Sequence, residues 1–212
     1  MGTRSGHRAY DSLRRTEQAQ RTKAEIAAAA RKCFTANGWG ATTVREVARE
    51  AGVAVPTVYA AYGNKTGLAL ALADAADLDA DPAAELADLE AAEGDPVRQL
   101  AAMAAYDRRL FERAGDLIAM LRDAGRTEPE LAGLYRDGRR RADAFRSEIF
   151  ASWPEGTLRS DIDSSVDAYA TLCSIDVYNT LTEERSWSPD RIQSWWAAIL
   201  PRELLATDRG TR

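Results

Sequence analysis

The segment Ala51–Leu70, "AGVAVPTVYAAYGNKTGLAL", decides the fold. It reads as the end of one helix, a turn at Gly52, a short helix over about 54–61, a break at Gly63 and a new helix from Lys65. Two short helices around a tight glycine-containing turn make a helix-turn-helix, and the second of them can enter the DNA major groove. Yet this second helix holds no charged residue. It is either a base-reading helix that works without charge or only a packed corner.

Helical spacing favours the first reading. Val58 and Ala61 turn inward, leaving Val55, Pro56, Thr57 and Tyr59 outward near the helix N-terminus. Pro56 is tolerated there because first-turn N–H groups lack intrahelical acceptors. Val55 and Pro56 suit thymine methyls, and Thr57 suits a base edge or a phosphate. Tyr59, Tyr62 and Lys65 offer donors to flanking phosphates. Upstream, Thr42 or Thr43 caps a second helix, with Thr43 and Glu46 at capping-box spacing, and Asn64 caps the fourth. Such N-terminal turns favour phosphate, and Arg45 lies within reach of the same backbone.

Charge is distributed accordingly. The net charge of −5 divides into +6 over residues 1–65 and −11 over the rest. A basic head on an acidic body points to a polyanion-binding module joined to something else. Residues 1–19 read as a basic flexible arm whose Arg4, Arg8, Arg14 and Arg15, followed by Arg21 and Lys23, add long-range attraction or enter the minor groove.

Strand signals are nearly absent, and apolar residues recur at three and four, so the chain is all-α with about nine helices. The first runs over about 16–37, ending at Asn37-Gly38 with Trp39 packed back on it; the next three cover about 43–51, 54–61 and 65–78. An acidic, Ala-rich connection over 79–95 encloses a short helix. Further helices cover about 96–113, 116–124, 128–152, 163–184 and 189–205, the last started by Ser188-Pro189. The expected divisions are the arm, a DNA-binding domain at 20–66, a second domain at 67–206 and a frayed tail at 207–212. Cys33 and Cys173 lie in apolar helical patterns, and His7 is the only histidine, so neither a disulfide framework nor a metal site is expected, and no cofactor. With no long apolar run, a cytoplasmic, membrane-free protein is expected.

The segment from about Thr22 to Leu72 resembles the DNA-binding domain of the TetR-type transcriptional regulators. The matching residues are Phe34…Gly38-Trp39, Thr42-Thr43-Val44, Ala48…Ala51-Gly52-Val53, Thr57-x-Tyr59, Tyr62 and Asn64-Lys65-x-x-Leu68. The resemblance implies a homodimeric regulator, usually a repressor, whose C-terminal helices form a ligand pocket and a dimer interface. It assigns Thr42 and Thr43 to phosphate, Val55, Pro56 and Thr57 to bases, and Tyr59, Tyr62 and Lys65 to the DNA backbone. The chain departs from the pattern at Ala54, often a capping hydroxyl residue, at Tyr62, more often Phe, and at Thr66, often acidic.

The body is read from its own residues. The last two helices carry apolar residues on more than one face, so they need two sets of partners. A second subunit is expected against Tyr169, Cys173, Val177, Ile192, Trp195, Trp196 and Ile199. The aromatic and Met residues Met103, Tyr106, Leu110, Phe111, Met120, Tyr135, Phe145 and Tyr178 are candidates to line a ligand pocket, although each is individually more often plain core. Arg122 and Asp176 read as exposed, and the basic run Arg136–Asp143 as a solvated helix face. No Ser-His, Cys-His, phosphate-loop or metal constellation supports an enzyme. The expected function is therefore a sequence-specific regulator, most simply a repressor released from a pseudo-palindromic operator by a small molecule. The alternative is a DNA-binding architectural module without an effector.

Overall fold

The computed structural model describes the backbone of residues 4–79 and 81–206 and the side chains of 14, 16–75 and 81–206. Among these residues no strand forms beyond an isolated Leu158–Leu205 bridge. The helices are α1 (Arg4–Ala41), α2 (Val44–Glu50), α3 (Val55–Tyr62), α4 (Lys65–Asp79), α5 (Pro82–Ala91), α6 (Pro96–Ala124), α7 (Pro129–Ala151), α8 (Ile162–Leu172), α9 (Ile175–Asn179) and α10 (Pro189–Leu204). A π-helical turn, Thr180–Glu184, continues α9. The chain divides into two compact units, Met1–Ala73 and Asp74–Arg212, so the first unit extends past the boundary expected at residue 66.

The first unit packs Ile26, Ala30 and Phe34 of α1 against Val47 and Ala48 of α2, Val58 of α3 and Leu68, Ala69 and Leu72 of α4, all buried. α1 starts at Arg4 rather than near Thr16, and Gly38 interrupts it with φ 75° and ψ 169°. The rings of Phe34 and Trp39 then meet at 5.2 Å, as the sequence suggests. Thr43 and Glu46 form the expected capping box, and Asn64 Oδ1 accepts from the Gly67 N–H at 2.7 Å. Gly67 answers a second demand: a Cβ there would overlap the carbonyl oxygen of Tyr62, so only glycine lets α4 start this close to the end of α3.

In the second unit α6 is central, packing against α5, α7, α9 and α10. It is one helix of 29 residues, not the expected two. Gly115, which suggests a break, instead admits α9: a Cβ there would stand 3.0 Å from Ile175 Cδ1. Conversely, the expected helix over 163–184 is broken. Cys173 leaves helical geometry, and Ser174 caps α9 by accepting from the Val177 N–H at 3.3 Å. The carbonyl of Leu172 freed at this break accepts from the Trp196 indole N–H at 3.0 Å. The segment over 79–95 contains the ten-residue helix α5, capped by Asp81. The tail at 207–212 lies outside the described residues.

An ionic cluster is buried within this apolar body. The hydroxyl of Tyr169 donates to Asp107 Oδ2 at 2.9 Å, while Arg146 reaches Asp107 at 3.4 Å and Asp143 at 2.9 Å. Glu85 of α5 is buried beside them. Burial pushes the Asp107 carboxyl up, against the pull of Arg146 and the Tyr169 hydroxyl. Burial also works against the charge of Arg146, but Asp107, Tyr169 and Asp143 outweigh it and hold the guanidinium protonated. The Glu85 carboxyl is pushed up to about 7, chiefly by burial and then by Asp107, with Arg109 and Arg146 opposing.

The Glu85 shift has a definite sign for stability. The folded value of about 7 lies above the ordinary 4.5, so between them the folded chain holds a proton that the unfolded chain has released. This contribution is fully present below the lower value and is lost as pH rises through the higher one. Replacing Glu85 with Gln should therefore make the decline shallower and stabilise the chain at about pH 8 by roughly 2 kcal/mol. Urea melts on either side of the transition measure this; equal pH slopes for the two proteins would contradict it.

Candidate nucleic-acid interface

The corner anticipated at Gly52 is present, with φ +67° and the Val53 N–H donating to the Ala48 carbonyl at 2.9 Å. It turns α3 so that Val58 is 1% exposed while Pro56, Tyr59 and Ala60 face solvent. Val55 and Thr57 are half-buried at the rim of that face, and Tyr59 is 51% exposed. The four α3 residues expected to meet DNA thus lie at or beside one open face. Ala60 shares it and was missed in the sequence, because a methyl side chain carries no chemical signal. Ala54 does leave the helix without a side-chain cap; only its carbonyl acts, accepting from the Thr57 N–H at 2.9 Å.

Some expected phosphate contacts need correction. Thr42 is 1% exposed, and its hydroxyl donates within the head to the carbonyls of Cys33 and Gly38, each at 2.9 Å. Its N–H is also engaged, by the Trp39 carbonyl at 3.3 Å. Thr42 therefore staples the turn before α2 onto α1 and is not a surface donor. Tyr62 likewise spends its hydroxyl proton on the Lys23 carbonyl at 2.8 Å, joining α3 to α1. Lys65 is half-buried; its ammonium donates to the Trp39 carbonyl and sits 4.0 Å from the centre of the Trp39 ring.

Thr43 and Arg45 are exposed at the start of α2. A carboxylate already occupies Thr43: Glu46 Oε2 accepts from its N–H at 2.7 Å and its hydroxyl at 3.0 Å. The Thr43 N–H, followed by its hydroxyl, holds the Glu46 carboxyl below its usual value. A phosphate at Thr43 must displace this side chain. Arg21, just after the expected arm, pairs with Glu25 at 3.0 Å, while the side chains of Arg4, Arg8 and Arg15 lie outside the described residues.

The body residues fall into distinct groups. Met103, Phe111, Met120 and Tyr178 are buried, and Phe111, Tyr178 and Trp196 form an aromatic cluster with ring separations of 5.6 to 6.2 Å. Leu110 and Phe145 pack against that core. Tyr106 is half-buried beside Arg109. Tyr135 stands apart, on an open depression of about 470 Å³ lined also by Arg136, Asp137, Arg139 and Arg140 of α7. Of the residues expected at a dimer interface, Tyr169, Cys173, Ile192 and Trp196 are at most 2% exposed within one protomer. They are its core and cannot supply a docking face. Val177, Trp195 and Ile199 remain half-exposed. Arg122 and Asp176 pair with each other near the surface.

Ala54→Ser should add the missing side-chain acceptor for the first turn of α3. Stabilisation of roughly 0.5–2 kcal/mol is expected, read as a higher denaturation midpoint with an unchanged denaturant slope. An unchanged midpoint would mean that the uncapped helix end costs the head nothing.

Comparison with protein families matches residues 26–72 to the model for bacterial regulatory proteins of the tetR family. Comparison with curated protein sequences returns no match. Among solved structures, NalD of Pseudomonas aeruginosa, the secondary repressor of the MexAB-OprM multidrug efflux pump, is 20% identical. It covers 92% of this chain and 100% of its own, with a TM-score of 0.70. A Saccharomonospora viridis protein assigned as a transcriptional regulator, in complex with choline, is 17% identical over 89% of this chain and 100% of its own, TM-score 0.71. The SmeT–triclosan complex is 18% identical over 88% and 93%, TM-score 0.66. At these identities the structures show a shared fold, while the family match lies on the helix-turn-helix whose geometry is described above. The helix-turn-helix segment, residues 26–72, is thus similar to that of bacterial regulatory proteins of the tetR family, and the chain as a whole shares the fold of the solved regulators.

Proposed function

We propose that this chain is a homodimeric repressor that reads a pseudo-palindromic operator through α3 and is released from it by a small molecule bound in the α5–α10 body. The observation that carries the DNA-reading part is the open face of α3, with Pro56, Tyr59 and Ala60 exposed around buried Val58. Val55, Pro56 and Thr57 meet base edges and thymine methyls, and Tyr59 positions the duplex through its backbone, with Thr43 and Arg45 at the flank. Lys65 holds Trp39 through its ring and carbonyl. Tyr62 acts through the packing of α3 on α1.

A single short recognition helix binds weakly, and two-fold pairing places two of them about 34–36 Å apart, matching successive turns of B-DNA. In the dimer, the half-exposed Val177, Trp195 and Ile199 meet their counterparts around the two-fold axis. The ligand-responsive part draws support from the choline and triclosan complexes of proteins with this fold. α4 belongs to both units, since it runs from Lys65 to Asp79 across the division at residue 73. It is the element through which a ligand in the body shifts the recognition helices. For release, the ligand must favour the DNA-incompetent arrangement, typically by ~1–3 kcal/mol. A regulator that works on a DNA operator would act in the cytoplasm.

Binding to duplexes from the DNA flanking its own gene tests the reading. Tyr59→Ala should weaken binding to every sequence and reduce the slope of log affinity against log salt by about one, between about 50 and 200 mM salt. Thr57→Val should instead change which base pair is preferred, by roughly 1–3 kcal/mol at one position. Unaltered affinity of the Tyr59 variant at every salt concentration would exclude this docking. A one-chain mass in sedimentation at micromolar concentration would exclude the dimer.

A further inference from the structure

The guanidinium of Arg109, on α6, has an unusual environment. Its Nε and Nη2 are both out of contact with solvent, and neither finds a hydrogen-bond partner among the described residues. These two atoms form the side-on edge of the guanidinium, whose parallel N–H bonds match the two oxygens of a carboxylate. The neighbouring Arg108 also has a buried Nε without an aligned hydrogen bond, but that atom lies 2.9 Å from Glu112 Oε2 and its Nη2 lies 2.9 Å from Asp190 Oδ1. Arg146 is committed to Asp107 and Asp143. Arg109, half-buried on α6, thus offers a guanidinium edge shielded from solvent and without a hydrogen-bond partner. Its Cζ lies 6.0 Å from the centre of the Tyr106 ring, one turn back on α6.

We propose that Arg109 and Glu85 form the head-group site for the effector, and that the effector is a monocarboxylate with an apolar remainder. This rests on the ligand-responsive reading above. The fork takes the two carboxylate oxygens, and Glu85 in its protonated form donates its O–H to one of them. Charge selects against alternatives. Asp107 lies close enough to act on Glu85, so a dianion such as a phosphate monoester meets repulsion that one guanidinium does not offset. A cation meets Arg109 and Arg146. Tyr106 beside the fork offers an aromatic face for the remainder of the molecule.

The site makes binding proton-linked. The groups around Glu85 are Asp107 and Arg109 of α6 and Arg146 of α7. Below about 7 the Glu85 carboxyl is protonated and can donate; above it a carboxylate faces the bound carboxylate. Affinity should fall with rising pH above that point, approaching roughly tenfold per pH unit in the limit of complete exclusion.

The test is calorimetric titration of the full chain with acetate, butyrate, octanoate, dodecanoate and benzoate, against octan-1-ol, octylammonium and inorganic phosphate. Operator affinity is measured separately with each. Saturable binding of at least one of the longer carboxylates is expected, weakened roughly 10–100-fold by Arg109→Gln and less by Arg109→Lys, which keeps charge but loses the fork. Glu85→Gln should retain binding and remove its pH dependence. Arg109→Gln should lower the denaturation midpoint less than Arg146→Gln, which breaks the pairs with Asp107 and Asp143. The proposal is overturned if no carboxylate binds, if Arg109→Gln binds as well as the parent, or if octan-1-ol binds equally. Operator release by octylammonium without carboxylate binding would sink this site and leave ligand-responsive repression standing. Carboxylate binding through Arg109 with unchanged operator affinity would keep the site and sink that repression mechanism.

Discussion

Position 67 leaves no room for a side chain, and the helix-turn-helix depends on that constraint. A Cβ there would overlap the Tyr62 carbonyl, so the first turn of α4 is packed directly on the last turn of α3. The other end of α3 is fixed by the left-handed Gly52, its middle by Val58 and its C-terminal side by the Tyr62 hydroxyl on Lys23. A helix of eight residues has little stability of its own, because nucleation is costly and few intrahelical bonds repay it. Here tertiary contacts supply that stability. The solvent face of α3 is then free to carry residues chosen for base edges. On the proposed reading this lets a helix without charge meet base edges, with Arg45 exposed at the start of α2.

The body has the inverse organisation, with charge placed inside. Asp107, Arg146 and Tyr169 join α6, α7 and α8 in one hydrogen-bonded set. Such pairs rarely stabilise more than apolar residues of similar volume, because removing both charges from water costs several kcal/mol. They do fix which helix faces meet, since any other register leaves a charge unpaired. Glu85 and Arg109 extend the same region without pairing to each other. That incompleteness distinguishes them from the structural set and motivates their assignment to a ligand.

Much of the head was legible because its signals are local. A capping box, a glycine turn and a Pro at the first turn of a helix act over four residues or fewer, and each appears where the sequence puts it. Thr42 was misread because a threonine beside a helix start suits either a surface cap or an inward staple; only the approach of Cys33 and Gly38 selects the second. The body's errors have a similar origin. Gly115 looks like a break until Ile175 is found against it, and the unbroken pattern over 163–184 conceals the Ser174 cap. Four residues expected between subunits are core, because two apolar faces on α8 and α10 can both be covered within one protomer. The buried cluster did leave a trace. Asp107 sits four residues from Met103 and from Phe111, and Arg146 four from Phe150, each on an apolar stripe where a charge needs a partner.

The central claim is that an uncharged helix face, and no basic surface elsewhere on the chain, confers operator recognition. Amide hydrogen exchange of the full protein on its selected operator, compared with a random duplex of equal length at equal salt, tests it most directly. Operator-specific slowing is expected in peptides covering Val55–Tyr62, with none over the basic run Arg136–Arg141 of α7. Protection centred on that run, with Val55–Tyr62 exchanging alike on both duplexes, would contradict it.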